Sequence, residues 1–167
     1  MTIAVITSLH MTHHQHGLGH VSLVISLHVT GMYAFSLVAG RLTDRWGRAP
    51  VIALGAALLA AGCLAAPLSL RLPPLAAALF LRGLGWNLCF VGGSSLLADR
   101  LRPEERARTQ GFTDTLIGLS AASGGLGSGA VFAAVGYGAM ALVAAAAALV
   151  PLILALRMWR FRLAPAV

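Results

Sequence analysis

No lysine occurs in this chain of 167 residues; all twelve basic residues are arginine, set against only five acids. Charged residues make up 10% and hydrophobic ones 58%. A soluble domain carries about a quarter charged residues, so this scarcity excludes a surface that faces water over most of its area. Cysteine is scarce too. Cys63 and Cys89 both fall inside apolar runs, which excludes a disulfide framework or a CxxC metal site and leaves two small buried side chains. No histidine follows His28, so a serine in "AASGG" has no base on a later helix, and an intramembrane serine protease is excluded. No GxxxxGK[ST] stretch is present, so the chain carries no ATP-driven pump. Neither an enzyme nor a cofactor is implied.

What remains is apolar sequence in long runs. A helix crosses a bilayer in about 20 residues, and five runs of that length occur at 20–39, 51–70, 75–97, 112–133 and 137–157. "MTIAVITSLHM" at 1–11 reads as part of a further span. It lacks the charged flank and small-residue cleavage site of a signal peptide. The class is therefore an all-α, polytopic membrane bundle forming a single transmembrane domain over 1–167, with a short basic tail at 158–167.

The arginines fix an orientation. Arg41, Arg45 and Arg48 fall in one connection, Arg100, Arg102, Arg106 and Arg108 in another, and Arg157, Arg160 and Arg162 in or beside the tail. If the spans alternate, these segments share one side, and the opposite side holds Arg71. Arg82 lies inside a span. Basic residues collect on the cytoplasmic side of membrane proteins, so 40–50, 98–109 and the tail are expected in the cytoplasm, with the protein integral to a plasma (inner) membrane. Aromatics are not interleaved with a contiguous basic patch, which excludes nucleic acid as a partner.

"GRLTDRWGRAPVI", from Gly40 to Ile52, concentrates charge between two spans. Read from the residues, it is a hairpin loop. Gly40 and Gly47 permit tight geometry, Pro50 suits the first turn of the next helix, and Asp44 can accept hydrogen bonds from N–H groups at a helix end. The string resembles the signature loop of the major facilitator superfamily, G-x-L-A-D-R-x-G-R-R/K-R/K-x-L. Gly40, Leu42, Asp44, Arg45, Gly47 and Arg48 match in register, with Ile52 at the last aliphatic position; Thr43, Ala49 and Pro50 depart from it. "GLGWNLCFVGGSSLLADRLRPEERARTQG" extends the likeness to the second half of bacterial facilitators. The resemblance implies a C-terminal six-helix half with its first helix clipped. Small-molecule passage by alternating access, coupled to protons, is what it implies for function. Its implied partners are membrane lipid, a small-molecule substrate, and the missing N-terminal half or a second copy of the chain. The family's R-x-x-Q-G-x-G is not matched: Leu79 holds the arginine position and Arg82 the glutamine position. The rival reading is a truncated or non-transporting membrane protein, or an assembly partner without activity of its own.

Polar residues inside the spans are few. Uncompensated polar groups in hydrocarbon are costly, so they should face the bundle or a wet cavity. His28 and Asn87 lie near the middles of their spans, Trp86 stands beside Asn87, and Arg82 is one turn further out. These four are the substrate or proton candidates, with interhelical hydrogen bonding as the alternative for His28 and Asn87. For Arg82 the alternatives are snorkelling to the interface, pairing with the missing half, or an anionic substrate. Asp114, near the start of a helix opened by Pro103 and two glutamates, is the gating or helix-end candidate. Gly125 and Gly129 form a small-xxx-small pair, the pattern for close helix packing. His10, His13, His14, His16 and His20 crowd one outer loop. Their spacing matches no closed zinc site, so no metal is assigned.

The orientation has a direct check. Gln15→Cys and Thr109→Cys, each in a background without Cys63 and Cys89, are treated on intact cells with an impermeant thiol reagent. Gln15→Cys is expected to label and Thr109→Cys to stay unlabelled; the reverse pattern overturns the assignment.

Overall fold

The computed structural model describes residues 7–8, 11–12, 17–68 and 71–163, with side chains to Arg160. Regular structure among them is helical throughout: α1 (Leu18–Tyr33), α2 (Ser36–Trp46), α3 (Arg48–Ala65) with a 3-10 turn at Ala66–Leu68, α4 (Leu72–Ala98) and α5 (Pro103–Leu163). His10, His13, His14 and His16, with most of the expected partial span at 1–11, lie outside the described residues. Of that span, Thr7 and Met11 are buried, Thr7 sharing a 2.9 Å hydrogen bond with the Tyr137 hydroxyl.

Four described helical stretches are long and apolar enough to cross a membrane: Leu18–Trp46, Arg48–Leu68, Leu72–Ala98 and Pro103–Arg160. The first joins α1 and α2 across a bend at Ala34–Phe35. The last contains both 112–133 and 137–157. At 1.5 Å per residue its 58 residues would reach almost 90 Å as one straight helix, against a hydrocarbon core of about 30 Å. Gly136 resolves this. Its φ of 75° is a left-handed conformation that glycine tolerates, and it divides α5 into two arms of crossing length.

The charged stretch at 40–50 is not the loop the sequence suggested. α2 runs through Gly40 to Trp46 and α3 begins at Arg48, so Gly47 alone makes the connection, with φ 89° and ψ 165°. Its N–H still donates to the Thr43 carbonyl at 3.1 Å. Gly40 is an ordinary helical residue with open space where a Cβ would stand. Thr43 is buried and returns its hydroxyl to the Ala39 carbonyl at 2.7 Å, so the helix satisfies its polar group internally. Pro50 falls in the first turn of α3, where the absent N–H costs no helical bond. At the next connection, helix α5 starts at Pro103 and leaves only residues 99–102 outside a helix, fewer than the 98–109 expected.

Helix α4 sits at the centre, flanked by α1 and α3. The backbones nearly touch: a Cβ on Gly31 would stand 2.6 Å from the Phe80 carbonyl, and one on Gly83 would collide with the His28 carbonyl. On the other flank a Cβ on Gly85 would meet the Gly55 carbonyl and the Leu59 nitrogen, each at 2.6 Å, and one on Gly62 the Ala78 carbonyl at 2.7 Å. Without a hydrophobic force between helices in lipid, such close van der Waals packing is what drives association. The second arm of α5 adds buried Tyr137, Ala141, Ala145, Ala148 and Ala155, one helical face of mostly small side chains.

The close approaches do not fall at Gly125 and Gly129. Both have open space beside them, and the first arm of α5 is exposed along most of its length, with Leu126 89% exposed. The motif names residues able to pack closely; only a facing helix makes them do so, and none faces them among the described residues.

These contacts separate the glycines experimentally. Gly85→Ala overpacks the α3–α4 contact and is expected to cost about 1–3 kcal/mol, read as a lower melting temperature in detergent by fluorescence-detected size exclusion. Gly125→Ala should melt as the wild type does. Equal losses at the two positions would sink the assignment.

Candidate functional site

Three polar groupings stand out in the bundle. The first is at its arginine-rich end. Arg48 opens α3, and Asp99 caps the end of the neighbouring α4, so the α3–α4 packing brings together residues 51 positions apart. Arg48 Nε donates to Asp99 Oδ2 at 2.8 Å and one terminal nitrogen to Asp99 Oδ1 at 3.4 Å, a two-pronged fork. The other terminal nitrogen donates to the Thr43 carbonyl at 3.3 Å and lies 3.6 Å from Asp44 Oδ1. Arg48 is therefore a hub between the Gly47 turn and the end of α4. Asp44 is the outlying member, its side chain 76% exposed against 46% for Asp99 and 24% for Arg48. Arg45 is exposed, and Leu42 packs on the small cluster of Ala39, Val51 and Leu88.

The second grouping is in the middle. Asn87 is buried; its amide donates to the Met32 carbonyl and to Ser36 Oγ, the latter at 2.8 Å. Those two acceptors bracket the Ala34–Phe35 bend, so Asn87 supplies donors where the helical ladder is interrupted. Its own carbonyl oxygen is buried without a partner among the described residues. Beside it Trp86 stacks on Phe90 at 4.9 Å and meets Tyr33 edge-on at 5.9 Å. Tyr33 is exposed and Trp86 half-buried, so this aromatic row reaches the bundle surface next to a buried amide.

His28 is also buried, with Nδ1 2.8 Å from the Leu79 carbonyl. A carbonyl only accepts, so Nδ1 carries the hydrogen, and Nε2 is the atom able to take a further proton. Arg82 occupies the same region, buried with only 7% exposure rather than snorkelling to an interface. Cys63 is among its polar neighbours, and NH1 has no hydrogen-bond partner among the described residues.

The third grouping lies between α4 and the first arm of α5. Gln110 Nε2 donates to Ser94 Oγ at 3.2 Å and to Asp114 Oδ1 at 2.9 Å. Ser94 and Gln110 edge a cleft of about 320 Å³ walled by Cys89, Phe90, Leu97 and Ile117. Asp114 thus sits about three turns inside α5, tied to its own helix and through Gln110 to α4.

The structure brings His28 and Arg82 together and places Trp86 and Asn87 one to two turns away on α4. It holds Asp44 and Asp114 apart from them. The residue that sequence reasoning missed is Asp99. Its signal was present as the one acid among the arginines of "LADRLR", but its partner follows only from knowing that α3 and α4 are neighbours. No cluster among the described residues offers three groups that would hold a metal ion.

Against known sequences, the profile of the Major Facilitator Superfamily matches residues 1–166. The chain belongs to the major facilitator superfamily. It is 44% identical over 163 residues to the uncharacterized MFS-type transporter YddS of Bacillus subtilis, covering 96% of this chain and 37% of that protein. It is 32% identical over 150 residues to the riboflavin transporter RfnT of Brucella anthropi, covering 88% of this chain and 38% of that one. It therefore spans little more than a third of the length of these relatives. No solved structure matches. Within this facilitator bundle, the signature stretch matched in the sequence is the one the structure builds into the Asp44–Arg48–Asp99 fork.

A double-mutant cycle ranks the two carboxylates. Arg48→Gln combined with Asp99→Asn is expected to show a coupling near the upper end of the roughly 0.2–1 kcal/mol typical of partly exposed pairs. Arg48→Gln with Asp44→Asn should fall near the lower end. Chemical unfolding in mild detergent reads both, and a larger coupling to Asp44 would contradict the geometry.

Proposed function

We propose that this chain forms one helical bundle of a secondary transporter that moves a small molecule by alternating access, coupled to protons, and that it is not an enzyme. The observation that carries the reading is the Arg48 fork. It ties a one-residue turn to the end of the central helix through contacts that are mostly exposed and therefore inexpensive to break. A tie worth at most about 1 kcal/mol cannot hold a membrane bundle together, yet it changes a two-state equilibrium by up to roughly fivefold. That is the energy scale of a gate.

The remaining roles follow from position. The half-exposed aromatic row of Tyr33, Trp86 and Phe90, with buried Asn87 behind it, is the surface offered to the substrate. His28 is the proton carrier through Nε2, its reference pKa being near the physiological range. Asp114 and Gln110 hinge the first arm of α5 on α4. The exposed faces of that arm, with Gly125 and Gly129, meet lipid and a second bundle, either an N-terminal half or another copy of the chain. In facilitator folds the transport site lies between repeats and halves, so one bundle alone has only part of a cavity wall. The arginine-rich end faces the cytoplasm, following the distribution of basic residues.

The test is a chimera in which this chain replaces the matched part of YddS, carrying Tyr33→Cys as an accessibility reporter. Asp99→Asn is expected to change the ratio of Tyr33→Cys labelling from the two membrane sides by two- to fivefold while leaving membrane abundance intact. An unchanged ratio overturns the gating reading. Riboflavin, the solute in the name of one relative, is the first to offer to proteoliposomes under an imposed proton gradient. The chain alone should show no saturable uptake; saturable uptake by it would overturn the N-terminal half as the second bundle and assign that place to another copy of the chain.

A further inference from the structure

Arg82 is the one buried arginine among the described residues, and neither the gate nor the aromatic row uses it. It lies on the central helix, 93% buried, between α1, α3 and the second arm of α5. The polar side chains near it are His28, Cys63 and Tyr137, none of which carries negative charge at neutral pH. Every side-chain carboxylate in the chain (Asp44, Asp99, Glu104, Glu105 and Asp114) belongs to the opposite, arginine-rich end. Asp99, on the same helix, is nearly five turns away, about 25 Å at 1.5 Å per residue.

A guanidinium is always protonated, offers five N–H donors and accepts nothing. Here one of its terminal nitrogens, NH1, is fully buried and meets no acceptor among the described residues. Snorkelling is the ordinary escape for an arginine in a span, and burial beside Cys63 shows that Arg82 does not take it. A buried cation persists when it is paired. We propose that the bundle holds a small monovalent anion, a halide or a free small carboxylate, against the NH1 end of Arg82, in a site separate from the exposed aromatic row. The fork of donors suits either chemistry, since both present concentrated negative charge to N–H groups.

The site requires no transport to be seen, so its test stands or falls apart from the proposed function. The purified chain in detergent is melted in sodium chloride, sodium formate and sodium gluconate at equal ionic strength. A ligand that binds only the folded state raises stability with the logarithm of its concentration once above its Kd. Chloride or formate, or both, should raise the melting temperature progressively relative to gluconate, and Arg82→Gln should abolish the difference. Cys63→Ala should retain it, since the thiol adds no charge. Equilibrium dialysis with radiolabelled chloride and formate on the wild type is a second readout, needed where Arg82→Gln fails to fold; about one bound anion per chain is expected. Identical melting in all three salts, the same salt difference in Arg82→Gln, or no retained anion in dialysis each overturns the proposal. A response to formate alone assigns carboxylate chemistry and a response to chloride alone assigns halide.

Discussion

The distance between the backbone of α4 and those of α1 and α3 governs the rest of this bundle. Glycines on both flanks bring carbonyls to within a methyl group of the opposing helix, and no side chain of ordinary size fits between them. Once α4 is held this closely, its polar residues have no choice of neighbour. Asn87 is delivered to the Met32 carbonyl and Ser36, at the bend where α1 gives way to α2. His28 is delivered to the Leu79 carbonyl. Asp99, at the far end of the same helix, is delivered to Arg48. In hydrocarbon, where no water can substitute, a polar group needs a partner inside the bundle, and helix spacing decides which partner that is.

Much of the architecture was legible before the structure because hydrocarbon imposes simple rules. Apolar runs gave the long helices, and Pro103 with its two glutamates marked the start of α5. What the rules could not give was the shape of the connections. A charged, glycine-framed stretch reads as a loop, yet helix persists through Gly40 because an exposed helical end can carry Asp44, Arg45 and Trp46 on its surface, and a single positive-φ glycine suffices for the turn. The glycine spacing did not locate the contacts within this bundle for a related reason. Gly125 and Gly129 have the spacing of a packing motif, while the working contacts use Gly31, Gly55, Gly62, Gly83 and Gly85. Spacing along one helix says nothing about which face another helix covers.

The candidate site was legible by residue type but not by connection. That His28, Asn87 and Arg82 must lie in or against the bundle follows from their depth; that His28 and Arg82 share a neighbourhood while Asn87 serves a bend does not. The signature stretch shows the same division. Its match identified Asp44 and Arg48, but the stronger contact is to Asp99, 51 residues beyond Arg48, and the better-known acid is the exposed one. A motif read along the chain records the half of a contact that is local. The other half depends on tertiary neighbours.

The two ends of the bundle treat charge in opposite ways, and the contrast bears on how a facilitator bundle can move without coming apart. At the arginine-rich end acids and arginines share solvent, so contacts such as Arg48–Asp99 are individually worth little and are replaceable by water when broken. Toward the other end the bundle is closely packed, acid-free and carries a guanidinium in its interior. Separating two charges there has no solvent to compensate it. Under the proposed alternating access, a rearrangement would concentrate at the exposed, ion-paired end and at the Ala34–Phe35 bend, which Asn87 already supplies with donors. The glycine-packed face of α4 leaves no room for its neighbours to slide, because the opposing carbonyls stand too close. The flexible and rigid parts are set apart by where the chain places its few charges.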